Sequence, residues 1–312
     1  MFLNYEQEVD LYLNLSSKGE IPLKFSYIEQ GAQNWNKYME KSIGQADSTY
    51  KIEHKLLQTR YLEYFTKIYK GKTIDLLDIG CGEGTPALNL ISKLLAQDIK
   101  VKYLPIDISK QLLQTASDKI RTNYPDIEIE EIEIDFEDVN LSKKTSLSEQ
   151  VRLWCFFGNT LGNFSDPQRI LRNFSMAMAE DDYLIIGNGI FNNVHKSQWI
   201  NYYYDKGCEK LASFVPNIYG LDNKISTYEV EWNDQFKQIE MSLVLNQNTS
   251  INIAEKNINL KNGEKILIAR SAKHRDSDLF QMYSQAGFRV DTFVTNQERT
   301  YSLSLLQTNR GR

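Results

Sequence analysis

A chain of 312 residues with 41% hydrophobic and 25% charged residues can bury a full core, either as one large domain or as a domain carrying an insertion. A net charge of −5 without any block of lysine or arginine argues against a nucleic-acid partner, and no apolar run is long enough to span a bilayer. Small molecules are the expected partners, with no membrane partner and a monomeric chain.

The three cysteines, Cys81, Cys155 and Cys208, lack the spacing of a zinc site or a disulfide framework, which fits a reducing cytoplasm. No basic stretch followed by an apolar one opens the chain, so segment 1–17 is not read as a signal peptide. The histidines His54, His195 and His274 show no metal-ligand spacing, and no metal is expected.

Segment 1–70 reads as mostly helical. Leu56, Leu57, Tyr61, Tyr64, Phe65 and Ile68 recur at helical steps and predict a helix over 50–69. Before it, an aromatic stretch holding Phe25, Tyr27, Trp35 and Tyr38 has weak periodicity, as expected of a loop or of short helices that could form a lid.

Segment 71–191 predicts an α/β core. The strand Leu76-Leu77-Asp78-Ile79 runs into Gly80-Cys81-Gly82-Glu83-Gly84, and a helix opens at Thr85-Pro86. A second strand ends at Asp107, with Ser109 as the N-cap of the next helix, which makes a βαβ unit. A third strand is expected over 127–134, ending in Asp135-Phe136. A fourth, over 151–157, runs into Gly158-Asn159-Thr160-Leu161-Gly162-Asn163-Phe164. The fifth, over 183–186, runs into Gly187-Asn188-Gly189. In open α/β sheets the C-terminal strand edge, where these glycines and asparagines recur, is where ligands bind.

Segment 192–270 changes character. A helical stretch over 197–214 is followed by alternating segments that place Ile239, Met241, Leu243 and Leu245 on one face, read as an inserted α+β substrate domain. Segment 271–312 then completes the main sheet with a helix ended by Gly287 and two strands, the last antiparallel.

The glycine turn discriminates between cofactors. A dinucleotide site favours Gly-x-Gly-x-x-Gly, but here Gly84 comes one residue early and Asp78 precedes the turn. S-adenosylmethionine has no pyrophosphate to cradle, and acidic and carbonyl groups suit its sulfonium and ammonium charges. Asp78, Gly80, Gly82, Gly84 and Gly158 are therefore candidate cofactor residues, and Asp107 stands where a carboxylate can accept hydrogen bonds from ribose hydroxyls.

Beyond this class-level pattern, the chain resembles the histidine-specific S-adenosylmethionine-dependent methyltransferase family, which includes the ergothioneine-pathway histidine Nα-methyltransferases. The matching segments are Phe25 to Gly31, Leu77 to Gly84, Tyr103 to Ser109, Asp135-Phe136-Glu137, Gly158 to Phe164, Tyr204-Asp205 with Gly207, Ile239-Glu240-Met241, Gly263-Glu264, and Ser271 with Lys273. Gly158-Asn159-Thr160-Leu161-Gly162-Asn163-Phe164 is the most specific of these. The resemblance implies a class I Rossmann-like methyltransferase fold in which Gly80, Gly82, Asp107, Asp135 and Phe136 contact S-adenosylmethionine. It implies that Tyr27, Asn163, Tyr204, Met241 and Ser271 face the substrate, with Asn163 and Tyr204 near its amino and carboxylate groups.

One position departs from the family. The histidine-methylating members have a carboxylate where this chain has Ala269, two residues before Ser271, and an alanine accepts no hydrogen bond from an imidazole. That argues against histidine itself as substrate. The expectation is an N-methyltransferase of a small amino acid or amine, with Asn163, Tyr204 and Tyr27 as the acting side chains and Asp205 as a further acceptor. The rival readings are an O- or C-methyltransferase of a natural-product intermediate, and a non-catalytic cofactor-binding regulator.

Overall fold

The computed structural model describes residues 2–44, 48–58, 60–137, 141 and 150–309. The chain folds into two compact units: Met1–Tyr38 with Asn193–Ala272, and Met39–Asn192 with Lys273–Arg312. The segment 1–70, read as one piece from sequence, is thus divided inside the helix Gln30–Gly44.

The larger unit carries a seven-stranded sheet. Its strands are β1 (Thr73–Ile79), β2 (Lys100–Asp107), β3 (Ile132–Glu133), β4 (Val151–Phe156), β5 (Tyr183–Gly189) and two late strands, Phe288–Thr295 and Tyr301–Thr308. From one edge the order is β3, β2, β1, β4, β5, then Tyr301–Thr308, then Phe288–Thr295. Strands β1 to β5 pair in parallel, while Tyr301–Thr308 is antiparallel to both neighbours. The last strand of the chain is therefore inserted inside the sheet, and Phe288–Thr295 forms the edge.

Parallel pairing demands crossovers, and the helices supply them. Thr85–Leu95 and Lys110–Asn123 pack their apolar residues Leu90, Ile91, Leu94, Leu113, Ala116 and Ile120 into one core with Leu76, Tyr103 and Cys155 of the sheet. Pro167–Ala177 and Asp276–Gln285 belong to a second core, with Trp154, Phe156, Leu184 and Ile186. Ser109 caps its helix by accepting from the Leu112 N–H at 3.3 Å, as its sequence position predicts. Asp166 caps Pro167–Ala177 in the same way.

Several expected boundaries shift. The helix expected over 50–69 is two, Thr49–Leu57 and Arg60–Tyr69, and the buried Leu56, Leu57, Phe65 and Tyr69 of both enter one core. The strand expected over 127–134 shrinks to Ile132–Glu133 plus a single bridge from Ile129 to Tyr103. Strand β5 continues through Gly187, Asn188 and Gly189, because these residues still find ladder partners in Leu303, Ser302 and Tyr301.

The smaller unit holds the helices Tyr5–Lys18, Lys196–Tyr203, Lys206–Ala212 and Phe214–Ile218, where one helix over 197–214 is expected from sequence. The break falls at Asp205, whose carboxylate accepts from the Gly207 N–H at 2.8 Å and starts a new helix. Its antiparallel sheet runs β10 (Lys265–Ala272), β7 (Gln238–Leu245), β6 (Ser226–Asn233), and β8 (Thr249–Ile253) and β9 (Lys256–Leu260) form a separate hairpin. Ile239, Met241, Leu243 and Leu245 are all buried, as their alternation predicts. The N-terminal segment joins this unit through a bridge between Glu20 and Leu267.

Candidate active site

The site in the larger unit is built at the C-terminal ends of β1, β2 and β4. After Ile79 the chain turns through three left-handed glycines, Gly80, Gly82 and Gly84, with φ of 65°, 53° and 77°. Their reasons differ. A Cβ on Gly84 would lie 2.9 Å from the Ala116 backbone, so this glycine lets two helices approach and starts Thr85–Leu95. A Cβ on Gly80 would meet only side chains at ordinary contact distance, the Phe136 ring at 3.7 Å and the Thr160 methyl at 3.9 Å. Close helix packing thus accounts for Gly84, whereas Gly80 leaves room beside its backbone at the sheet edge.

Two acids flank that turn. Asp78, buried in β1, accepts from the Tyr103 hydroxyl at 2.8 Å. Asp107, buried at the end of β2, accepts from the Gly82 N–H at 3.2 Å and the Ser109 N–H at 3.0 Å. Burial raises Asp78 to about 7, with the charges of Asp107 and Glu53 adding to the effect. Asp107 is raised by burial to about 6, although the N–H donors of Ser109 and Gly82 act against the rise. Among the described residues, neither acid forms a salt bridge. A buried carboxylate without a counter-charge favours an arriving cation, and S-adenosylmethionine carries two cationic groups.

Asp135 follows β3 and accepts from the Glu137 N–H at 3.0 Å. Phe136 makes edge-on contacts with Phe156 and Phe164, with ring centroids 5.8 and 6.0 Å apart. The expected cofactor residues Asp78, Gly80, Gly82, Asp107 and Phe136 therefore share the region around the β1 turn.

The loop after β4 opens on two consecutive left-handed residues, Gly158 (φ 76°) and Asn159 (φ 62°), and then makes a tight turn over Thr160–Asn163. Asn159 is buried and its side-chain oxygen accepts from the Gly189 N–H at 2.6 Å, joining the loop to β5. Asn163, four residues on, is half-buried, and its side chain makes no hydrogen bond to another described residue. Lys273 is buried beside Gly189 and burial lowers its pKa to about 8.

Sequence reasoning missed what fixes this loop. Glu53, from the helix Thr49–Leu57, accepts from the Gly158 N–H at 2.9 Å and from the Tyr301 hydroxyl, and the same hydroxyl accepts from the Asn159 N–H at 3.2 Å. A Cβ on Gly187 would fall 2.1 Å from the Glu53 carboxylate and 2.2 Å from the Tyr301 hydroxyl. Gly187 was the available signal, since a glycine inside a strand marks a close approach.

In the smaller unit, the β7–β10 register sets Ala269 opposite Met241 and Ser271 opposite Ile239, so Ala269, Met241 and Ser271 share one sheet face. Arg270 faces away and pairs with Glu20 at 2.5 Å, as alternation requires. Tyr203 donates to the Ser271 hydroxyl at 2.7 Å, whereas Tyr204 is 48% exposed and its hydroxyl accepts from the Val230 N–H at 3.2 Å. Helical phase, which the Tyr202-Tyr203-Tyr204 run conceals in sequence, selects Tyr203 as the inward residue. Tyr27 packs edge-on against Trp35 at 5.4 Å, Trp35 lies 5.6 Å from Tyr38, and Tyr38 is hydrogen-bonded to Tyr202. Asp205 acts as a helix cap.

The seven-stranded sheet in this order, with its acid-flanked glycine turn, is the class I Rossmann-like fold expected from the sequence. The chain belongs to the family described as histidine-specific methyltransferase, SAM-dependent, whose model matches residues 6–308. Its relatives include the histidine N-alpha-methyltransferase of Mycolicibacterium smegmatis, 24% identical over 82% of this chain and 81% of that protein. The N-methyltransferase imqF of Aspergillus flavus is 23% identical over 82% of this chain and 73% of that protein. Among solved structures, the PH0226 protein of Pyrococcus horikoshii shares the fold with a TM-score of 0.50, at 9% identity over 90% of this chain and 99% of that one. The protein is an S-adenosylmethionine-dependent methyltransferase. Among the described residues, no three His, Cys, Asp or Glu side chains gather to hold a metal, and no helix is long and apolar enough to cross a membrane.

Proposed function

We propose that the protein methylates the amino group of a small amino acid or amine. The observation that carries this reading is Asn163: a side-chain amide on the β4 loop, at the sheet edge that bears the acid-flanked turn, bonded to no other described residue. Its oxygen can accept an N–H of a neutral amine and aim the nitrogen lone pair. The names of the two relatives, both N-methyltransferases, support nitrogen as acceptor.

When bound, S-adenosylmethionine supplies an already activated methyl group. The chain's work is then alignment, which can provide about 7–11 kcal/mol of such a barrier. The amine nitrogen forms the new N–C bond as the methyl–sulfur bond breaks, and the extra proton leaves to solvent. Asp78, Gly80, Gly82, Gly84, Asp107, Asp135, Phe136 and Gly158 form the cofactor region, with Gly84 acting through helix packing. Tyr27, Tyr204, Met241, Ser271, Ala269 and Asp205 serve the substrate side, joined by Tyr203 through its bond to Ser271. Ala269 gives an imidazole no acceptor, which favours a substrate other than histidine. An aromatic or guanidinium-bearing amine suits a unit this rich in tyrosine. The buried, unbridged Cys81, Cys155 and Cys208 support a reducing, cytoplasmic setting, and a monomer acting on a small molecule is the simplest assembly.

Incubation with amino acids and biogenic amines, reading S-adenosylhomocysteine release and product mass, tests the reading. A product methylated on an amino nitrogen is expected. Cofactor binding without turnover on any amine, or methyl found only on oxygen or carbon, overturns it.

A further inference from the structure

We propose that Glu53 is the positioning residue of the β4 loop: its carboxylate and the Tyr301 hydroxyl together hold Gly158 and Asn159 in the left-handed turn that presents Asn163. This rests on the assignment of Asn163 to the amine.

Two adjacent left-handed residues, one of them not a glycine, form an unfavourable backbone unless something fixes it. Here the N–H groups of both residues are held, Gly158 by Glu53 at 2.9 Å and Asn159 by Tyr301 at 3.2 Å, and Glu53 and Tyr301 are bonded to each other. Tyr301 is itself in the ladder with Gly189, the residue whose N–H donates to the Asn159 side chain. The loop is therefore tied at three points to a helix and two strands. Gly187 clears the space, since any Cβ there would collide with both Glu53 and Tyr301.

Glu53 is almost fully buried and faces no lysine or arginine among the described bonds. Burial lifts it to about 7 against the opposing effect of its two donors, so a neutral fraction persists near neutral pH. The loop accordingly relies on an acceptor oxygen more than on a charge, and a glutamine can supply that oxygen.

The test uses the full chain with Glu53→Ala, Glu53→Gln and Tyr301→Phe, measuring kcat, amine KM, cofactor affinity by calorimetry, and amide hydrogen exchange at Gly158 and Asn159. Glu53→Ala should lower kcat by about 10- to 100-fold, and cofactor affinity, to which Gly158 contributes, should fall by less than kcat does. Glu53→Gln should recover most of kcat, and Tyr301→Phe should lower it by about 3- to 10-fold. Exchange at the two amides should quicken in Glu53→Ala and Tyr301→Phe while the core strands stay protected. Wild-type kcat and exchange in Glu53→Ala, or a Gln variant no better than Ala, overturns the proposal; if Glu53→Ala does not fold, unchanged exchange in Tyr301→Phe overturns it. A wild-type protein inactive on every amine, with the exchange effects intact, refutes the assigned reaction and leaves the Glu53 latch standing.

Discussion

The loops that follow β1 and β4 leave the same edge of one sheet, yet they are built by opposite means. The β1 turn is local: its glycines supply the backbone freedom, and its N–H groups donate to Ile106 and Asp107, on the strand paired directly with β1. The β4 loop depends on residues far away in the chain, Glu53 and Tyr301, which converge on Gly158 and Asn159. A loop that carries its own conformational code suits an invariant task such as holding a cofactor. A loop fixed from outside can have its tip placed by the rest of the fold, which suits a task that depends on the acceptor.

Three measurements separate the two loops further. The largest effect is expected from Asn163→Ala, which should cut turnover by about 100-fold with cofactor affinity nearly unchanged, read by steady-state kinetics beside calorimetry. Unchanged turnover would remove Asn163 from the site and end the division of labour between the loops.

Gly84→Ala should act on the β1 side alone. The new methyl would press on Ala116 in a left-handed backbone, so a loss of about 2 kcal/mol is expected in chemical denaturation, without the kinetic signature of Asn163→Ala. Native stability in this variant would show that Gly84 is not there for packing.

The smallest effect is on pH dependence. Asp78 and Asp107 are raised to about 7 and about 6 in the folded protein, so the free protein binds more protons there than the unfolded chain does. Their burial therefore favours the fold below the ordinary carboxylate range, and that contribution is lost as pH rises to about 7. Cofactor affinity should move the other way, strengthening by about 3- to 10-fold from pH 5.5 to pH 7.5 as the carboxylates ionise, with proton release on binding at about pH 6. Calorimetry in buffers of differing ionisation enthalpy measures this, and Asp78→Asn should diminish it.

Much of the β1 turn was legible from sequence because its signals are short-range. Asp78, the glycines and the Ser109 cap lie within or beside single elements, where residue type and backbone requirement meet directly. Strand alternation likewise foretold the buried face of Ile239, Met241, Leu243 and Leu245. Other features were hidden for a physical reason. Nothing local marks Glu53, which lies on an amphipathic helix and becomes special only when that helix brings it to Gly158 and Tyr301. The choice between Tyr203 and Tyr204 depends on the helix phase set by packing.

The amino-acid sequence by itself determined the class of fold, the cofactor and the residues of the β1 turn, since these follow from periodicity, glycine spacing and acids placed at strand ends. Only the tertiary structure decided how the β4 loop is held, why Gly187 is a glycine and which tyrosine reaches Ser271. Those outcomes are set by contacts between residues more than a hundred positions apart for the loop and more than sixty for Ser271, whose energies arise only when the chain has closed on itself.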